Sequence, residues 1–165
     1  NRSKVVQAAA NAVRSGVEAM TARDILRIKG NWVISITPEA SLHEAIGSLV
    51  EHSVGALLVV DQHRSIVGII TERDILREKA SNLDKVDDAK VSDLMTSKVI
   101  IGLVDDSLEY IMKLMTEKRI RHLPILEDGR LAGILSIGDV VKARAQQAEV
   151  DIRYLTDYIT GQYPV

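Results

Sequence analysis

The sequence predicts a mixed α+β fold, made of two β-α-β-β-α repeats and a long C-terminal helix. Three observations carry this. A unit of about 60 residues occurs twice. Inside each unit, a stretch of helical periodicity alternates with short apolar runs of strand length. The chain of 165 residues is 46% hydrophobic, too apolar for disorder and long enough to bury a core without a disulfide or metal staple.

The repeat is found by laying the chain on itself. At an offset of 66, Ser41 meets Ser107, Leu42 meets Leu108, Val60 meets Leu126 and Asp61 meets Glu127. After a one-residue deletion near His63 the offset becomes 65, and Gly68 meets Gly133, Thr71 meets Ser136 and Asp74 meets Asp139. Upstream, Asp24-Ile25-Leu26 echoes Asp93-Leu94-Met95.

Each element follows in order. A short β segment is expected at Trp32 to Ile36, and its counterpart at Val99 to Leu103. A helix follows, with Leu42, Ala45, Ile46, Leu49 and Val50 on one face in the first repeat, and Leu108, Ile111, Met112 and Met115 in the second. Two apolar strands come next: Ala56 to Val60 and Ile66 to Ile70, then Leu123 to Leu126 and Leu131 to Leu135. Their unbroken apolar character predicts burial on both faces. A last helix begins at Thr71 or Ser136. The second of these meets no strong breaker before Gly161, so it is expected to run on with Ile152, Leu155, Tyr158 and Ile159 as an apolar stripe. The domain boundaries are therefore an N-terminal extension over residues 1–20, a first repeat at 21–80, a linker at 81–90, a second repeat at 91–143, and the C-terminal helix and tail at 144–165.

Composition excludes several functions. There is no cysteine, hence no thiolate nucleophile, zinc finger or iron–sulfur cluster. The net charge of −2 offers no basic field for nucleic acid, and 3% aromatic residues make no stacking platform. No apolar run has the length of a membrane span. The first residues are basic and alanine-rich but lack the apolar core of a secretory signal. That favours the cytoplasm and leaves organelle import open. His43-Glu44-Ala45-Ile46-Gly47 lacks the second histidine of a metalloprotease helix, and neither a nucleophile elbow nor a P-loop occurs. The chain reads as a non-enzyme.

GALLVVD with GIITERD in the first repeat, and RIRHLPILED with GILSIGDVV in the second, resemble a tandem pair of cystathionine-β-synthase (CBS) domains. The resemblance covers roughly Ala22 to Lys142 and fits the stand-alone type. It implies that the two repeats pack as a pseudo-symmetric pair. It also implies a regulatory module that binds an adenosine-containing ligand in a cleft between the repeats: AMP foremost, otherwise ADP, ATP, NAD(P)(H) or S-adenosylmethionine, with no metal. A homodimer that signals to a separate effector protein is implied as well. The alternative is a structural dimerisation module with vestigial pockets.

The site residues follow from the resemblance and from chemistry together. Thr71 and Asp74, and Ser136 and Asp139, stand where an apolar strand enters a helix. A carboxylate there accepts hydrogen bonds from ribose hydroxyls, and the helix start suits an anion. The same pattern is also that of a capping box, which needs no ligand. The resemblance implies that one pocket joins Thr71 and Asp74 to Arg121 and His122. The other joins Ser136 and Asp139 to Thr37, Gly55 and Ala56. Arg121 offers a planar fork for phosphate, or else is a surface charge. Gly55 and Ala56 leave room for a purine. Among the basic residues Arg73, Arg77, Lys79, Lys118 and Arg119, which also suit a solvated helix face, only Arg73 joins the candidates. The second repeat has Leu103-Val104 where the first has Thr37-Pro38, so the two pockets are expected to differ in affinity.

Overall fold

The computed structural model describes residues 19–81 and 89–160, the side chain of Tyr158 excepted. Most of the expected N-terminal extension, most of the linker and the tail beyond residue 160 lie outside the described residues.

The elements run α1 (Ala22–Lys29), β1 (Ser35–Ile36), α2 (Leu42–His52), β2 (Ala56–Val60), β3 (Ile66–Thr71), α3 (Glu72–Ser81), α4 (Val91–Leu94), β4 (Gly102–Leu103), α5 (Leu108–Lys118), β5 (His122–Glu127), β6 (Arg130–Ser136) and α6 (Ile137–Thr160). They form two three-stranded sheets of the same topology, β1-β2-β3 and β4-β5-β6. In each, the first strand pairs parallel with the second, and the second pairs antiparallel with the third.

The first strands are shorter than expected. Trp32 and Val33 read as strand by composition, yet only Ser35 and Ile36 pair, with Leu58 and Val59. Trp32 instead stands 59% exposed and meets His52 edge to face, ring centroids 6.5 Å apart. Likewise Val99 to Ile101 stay outside β4. The final helix begins one residue after Thr71 and Ser136, because those residues end the strands and cap the helices.

The chain divides into two compact units, and the cut differs from the repeat boundaries read in the sequence. One unit is Trp32–Ile101. The other combines the described residues up to Asn31 with those from Gly102 to Thr160. The helix that opens each repeat in sequence has therefore changed places. Ala22 N–H donates to the Asp106 carbonyl and Arg23 N–H to the Val104 carbonyl, each at 2.9 Å, seating α1 on the second repeat. In mirror fashion Val91 N–H donates to Ala40 and Ser92 N–H to Pro38, each at 2.9 Å, seating α4 on the first. The orphan donors of each helix start are satisfied by a loop of the other sequence repeat.

The cores are correspondingly equivalent. Leu42, Leu49, Leu57, Val59, Ile70, Ile75 and Val91 are buried in one unit; Leu108, Met115, Leu123, Ile125, Leu135, Val140 and Ala22 fill the same places in the other. As expected from their apolar runs, β2 and β5 are buried through their centres, and β3 over Gly68 to Ile70; β6 instead starts exposed, with Leu131 at the surface, and only Gly133 and Leu135 are buried. α6 is one continuous helix of 24 residues. Of its expected stripe, Ile152 and Ile159 are exposed and Leu155 is half-buried.

Candidate functional site

In each unit a strand runs straight into a helix at the motif residues. Thr71 ends β3, and its N–H and Oγ1 donate to Asp74 Oδ2 at 2.9 and 2.7 Å. Ser136 ends β6, and its N–H and Oγ donate to Asp139 Oδ2 at 2.7 and 2.8 Å. The acid's own N–H returns a bond to the hydroxyl in both, at 3.4 and 3.2 Å. The capping box is thus formed at both junctions. It uses Oδ2 of each aspartate and leaves Oδ1 outside these bonds. Both aspartates are half-buried.

The geometry of the box is not peculiar to these junctions. Thr21 N–H and Oγ1 donate to Asp24 Oδ2 at 2.9 and 2.8 Å, and Ser41 and Glu44 repeat the arrangement. What sets Thr71 and Ser136 apart is their place at a direct strand-to-helix junction.

The strand beside each junction supplies the other candidates. Ala56 lies opposite Thr71 in the register, and His122 opposite Ser136. The Gly55 carbonyl accepts from Glu72 N–H at 3.1 Å, and the Arg121 carbonyl from Ile137 N–H at 2.8 Å. Within a unit the structure therefore brings Gly55 and Ala56 to Thr71 and Asp74, and Arg121 and His122 to Ser136 and Asp139. Arg73 and Arg121 are exposed, His122 is half-buried, and Ala56 is buried. Thr37 follows β1, whose last residue Ile36 faces Val59. It lies at the end of the sheet opposite Gly55 and Ala56, about 13 Å away along the strands.

One residue escaped the sequence reading. Lys29, at the C-terminal end of α1, donates from Nζ to the Ile134 carbonyl at 2.7 Å and to Asp139 Oδ2 at 2.6 Å. A basic residue in a last helical turn is ordinary in sequence, because it complements the helix dipole. Only the docking of α1 on the second repeat brings it to the motif. Burial opposes ionisation of Asp139, but the hydrogen bonds from Lys29 and Ser136 outweigh it and hold this carboxyl below its ordinary value.

The motif glycines also gain a reason. A Cβ on Gly133 would sit 2.6 Å from Leu26 Cδ2, and one on Gly68 would sit 2.5 Å from Met95 Sδ. They give the swapped helices α1 and α4 room to lie against the outer strands. A separate concavity of about 340 Å³ is lined by Arg23, Leu26, Gly30, Val104, Glu127 and Ala132. Its guanidinium is already paired with Asp105 at 3.0 Å and with Glu127, and no expected site residue lines it. Among the described residues, no group of acids and histidines is arranged to hold a metal ion, and no helix is long and apolar enough to cross a membrane.

Two equivalent sheets, each ending in the same strand-to-helix box, are a tandem signature, and the family model for the CBS domain matches at residues 33–81 and 91–146. The chain belongs to the CBS domain family. A CBS domain-containing protein, CBSX3, of Arabidopsis thaliana, described as mitochondrial, is 36% identical over 90% of this chain and 76% of its own length. Among solved structures, a CBS-domain protein from Agrobacterium tumefaciens is 40% identical with a TM-score of 0.75, over 78% of this chain and 96% of its own. CBSX2 in complex with AMP is 30% identical with a TM-score of 0.61, over 76% and 97%. The CBS domain pair of the protein MJ0100, solved with 5-methylthioadenosine and S-adenosylmethionine, is 27% identical with a TM-score of 0.70, over 79% and 99%. Two of these solved relatives were determined with adenosine-containing ligands.

Proposed function

We propose that this chain is a non-catalytic module that binds an adenosine-containing ligand at its strand-to-helix junctions and reports occupancy to a separate protein. The observation that carries this is the twofold occurrence of the Thr/Ser–Asp box, each with one carboxylate oxygen left over. A carboxylate with an unused oxygen accepts from a ribose hydroxyl without giving up its cap. The helix start adds partial positive charge for a phosphate. In this reading Thr71, Asp74, Ser136 and Asp139 hold the ribose. Gly55 and Ala56 admit the base. Arg121, His122 and Arg73 serve the phosphates, while Thr37, at the far end of the sheet from Gly55 and Ala56, falls outside this site.

AMP is the first ligand of this reading, since a similar chain has been solved with it. S-adenosylmethionine follows for the same reason. Differential affinity of the ligand for two arrangements of the protein would supply the signal. A homodimer is the expected working form. A cytoplasmic location and the organelle of the Arabidopsis relative are both compatible with the reading.

The test is a thermal-shift panel on protein stripped of bound nucleotide, using AMP, ADP, ATP, NAD, NADPH and S-adenosylmethionine. A ligand at 100 times its Kd stabilises by about 2.7 kcal/mol, a shift of about 5 to 10 °C for a domain of this size. A selective shift that Asp74→Ala or Asp139→Ala reduces is the expected result. No shift with any ligand overturns the reading and leaves a structural dimerisation module.

A further inference from the structure

The two junctions are equivalent in sequence but not in how their outer strands are satisfied. Ile69 and Ile134 occupy the same place on β3 and β6. The Ile69 carbonyl accepts from the backbone N–H of Thr96 at 2.9 Å. The Ile134 carbonyl accepts instead from Lys29 Nζ at 2.7 Å. α4 stops at Leu94 so that Thr96 forms its bridge, whereas α1 runs on to Lys29. The longer helix replaces a backbone donor by an ammonium.

That ammonium reaches the motif acid as well. Asp139 Oδ2 takes three donors: Ser136 N–H, Ser136 Oγ and Lys29 Nζ. Asp74 Oδ2 takes two from Thr71, and no lysine stands beside it among the described residues. A carboxylate oxygen has two lone pairs, so Asp139 Oδ2 is saturated. Its charge is also neutralised at 2.6 Å, with the lysine and aspartate side chains only 31% and 23% exposed. At that burial solvent screens the pair poorly.

We infer that Lys29 weakens Asp139 as a ribose acceptor by neutralising its charge, so that the Thr71–Asp74 junction takes ligand first and the Ser136–Asp139 junction takes it more weakly. This rests on the reading of both junctions as ribose sites. A ribose diol offers neutral donors, and a carboxylate whose charge an ammonium already neutralises attracts them less strongly, even at its unused Oδ1. Asp74 carries no such occupant, and its free oxygen keeps the full attraction of an uncompensated carboxylate.

The experiment is isothermal titration of the full chain with AMP, and with S-adenosylmethionine as a second probe. The proteins are the wild type, Lys29→Met, Lys29→Gln, Asp74→Ala and Asp139→Ala, each checked for folding by circular dichroism. The expected wild type has one dominant site, which Asp74→Ala removes; its loss in Asp139→Ala instead overturns the inference. Lys29→Met and Lys29→Gln strengthen the second site by about tenfold or more. Equal affinities at both junctions in the wild type overturn the inference alone. So does weaker binding in both lysine variants, which would make Lys29 a ligand contact. Binding of neither probe to any of the five proteins overturns the ribose reading itself.

Discussion

Gly133 and Leu26 are in such close contact that the smallest side chain at Gly133 would place its Cβ 2.6 Å from Leu26 Cδ2. Leu26 belongs to α1 and is only 7% exposed, so it has nowhere to swing. Gly68 and Met95 make the matching contact at 2.5 Å, but the methionine is half-buried and unbranched. Gly133→Ala is therefore expected to destabilise by about 1 to 3 kcal/mol, lowering Tm by about 2 to 12 °C. Gly68→Ala should cost less. Adding Leu26→Ala to Gly133→Ala should recover part of the loss relative to additivity, measured as a double-mutant cycle. Additive effects would disprove the contact.

Acid should weaken the fold through named carboxylates. Asp24 is held below its ordinary value by the Thr21 backbone N–H and then by the Thr21 hydroxyl. Asp139 is held below it despite burial, by Lys29 and Ser136. Both groups are thus more acidic folded than unfolded. Each contributes stability above its unfolded value, which is lost as pH falls through the folded one. Thermal melts should show stability falling below about pH 4. Asp24→Asn and Asp139→Asn should each flatten that dependence. A variant with the wild-type slope would remove its residue from the account.

Ser53 and Arg119 end α2 and α5 in the left-handed region, at φ values of 52° and 54°. A side chain is strained there, and glycine is not. Ser53→Gly and Arg119→Gly are each expected to stabilise by about 0.5 to 1 kcal/mol, read from denaturant midpoints at constant slope. A loss of stability would mean that these side chains make contacts outweighing the strain.

The start of α2 should be more sensitive than that of α5. Ser41 and Ser107 each accept from the N–H three residues on, at 3.2 Å. Only Ser41 is answered by an acid, as Glu44 accepts from its N–H and hydroxyl at 2.8 Å. The third residue after Ser107 is Tyr110, which cannot reciprocate. Ser41→Ala is expected to cost about 1 kcal/mol, and Ser107→Ala less, in chemical denaturation.

Much of this was legible in the sequence because each signal was local and doubled. The helices α2 and α5 announced themselves by spacing, and the central strands by unbroken apolar runs between polar turns. The box at Thr71–Asp74 was visible as a pattern three residues wide, repeated at Ser136–Asp139. What the sequence hid was long-range and carried by the main chain. Nothing in the side chains of Ala22 and Arg23 says that their N–H groups will reach Asp106 and Val104. Without that docking Lys29 reads as an exposed helix-end lysine, and Gly133 as a strand glycine with no packing reason behind it. The strands β1 and β4 were overestimated because Trp32 and Val99 have strand propensity, while only Ser35–Ile36 and Gly102–Leu103 pair with their parallel neighbours.

The exchange of α1 and α4 means that a CBS repeat of this chain, cut out at its sequence boundaries, is not a transplantable cassette. A fragment ending in the linker would carry α1 without the sheet that seats it and would lack α4. The complementary fragment would have the converse defect. Neither piece should fold well alone, and the mixed pieces should restore one another. The doubled sequence encodes two bodies only because each copy lends a helix to the other.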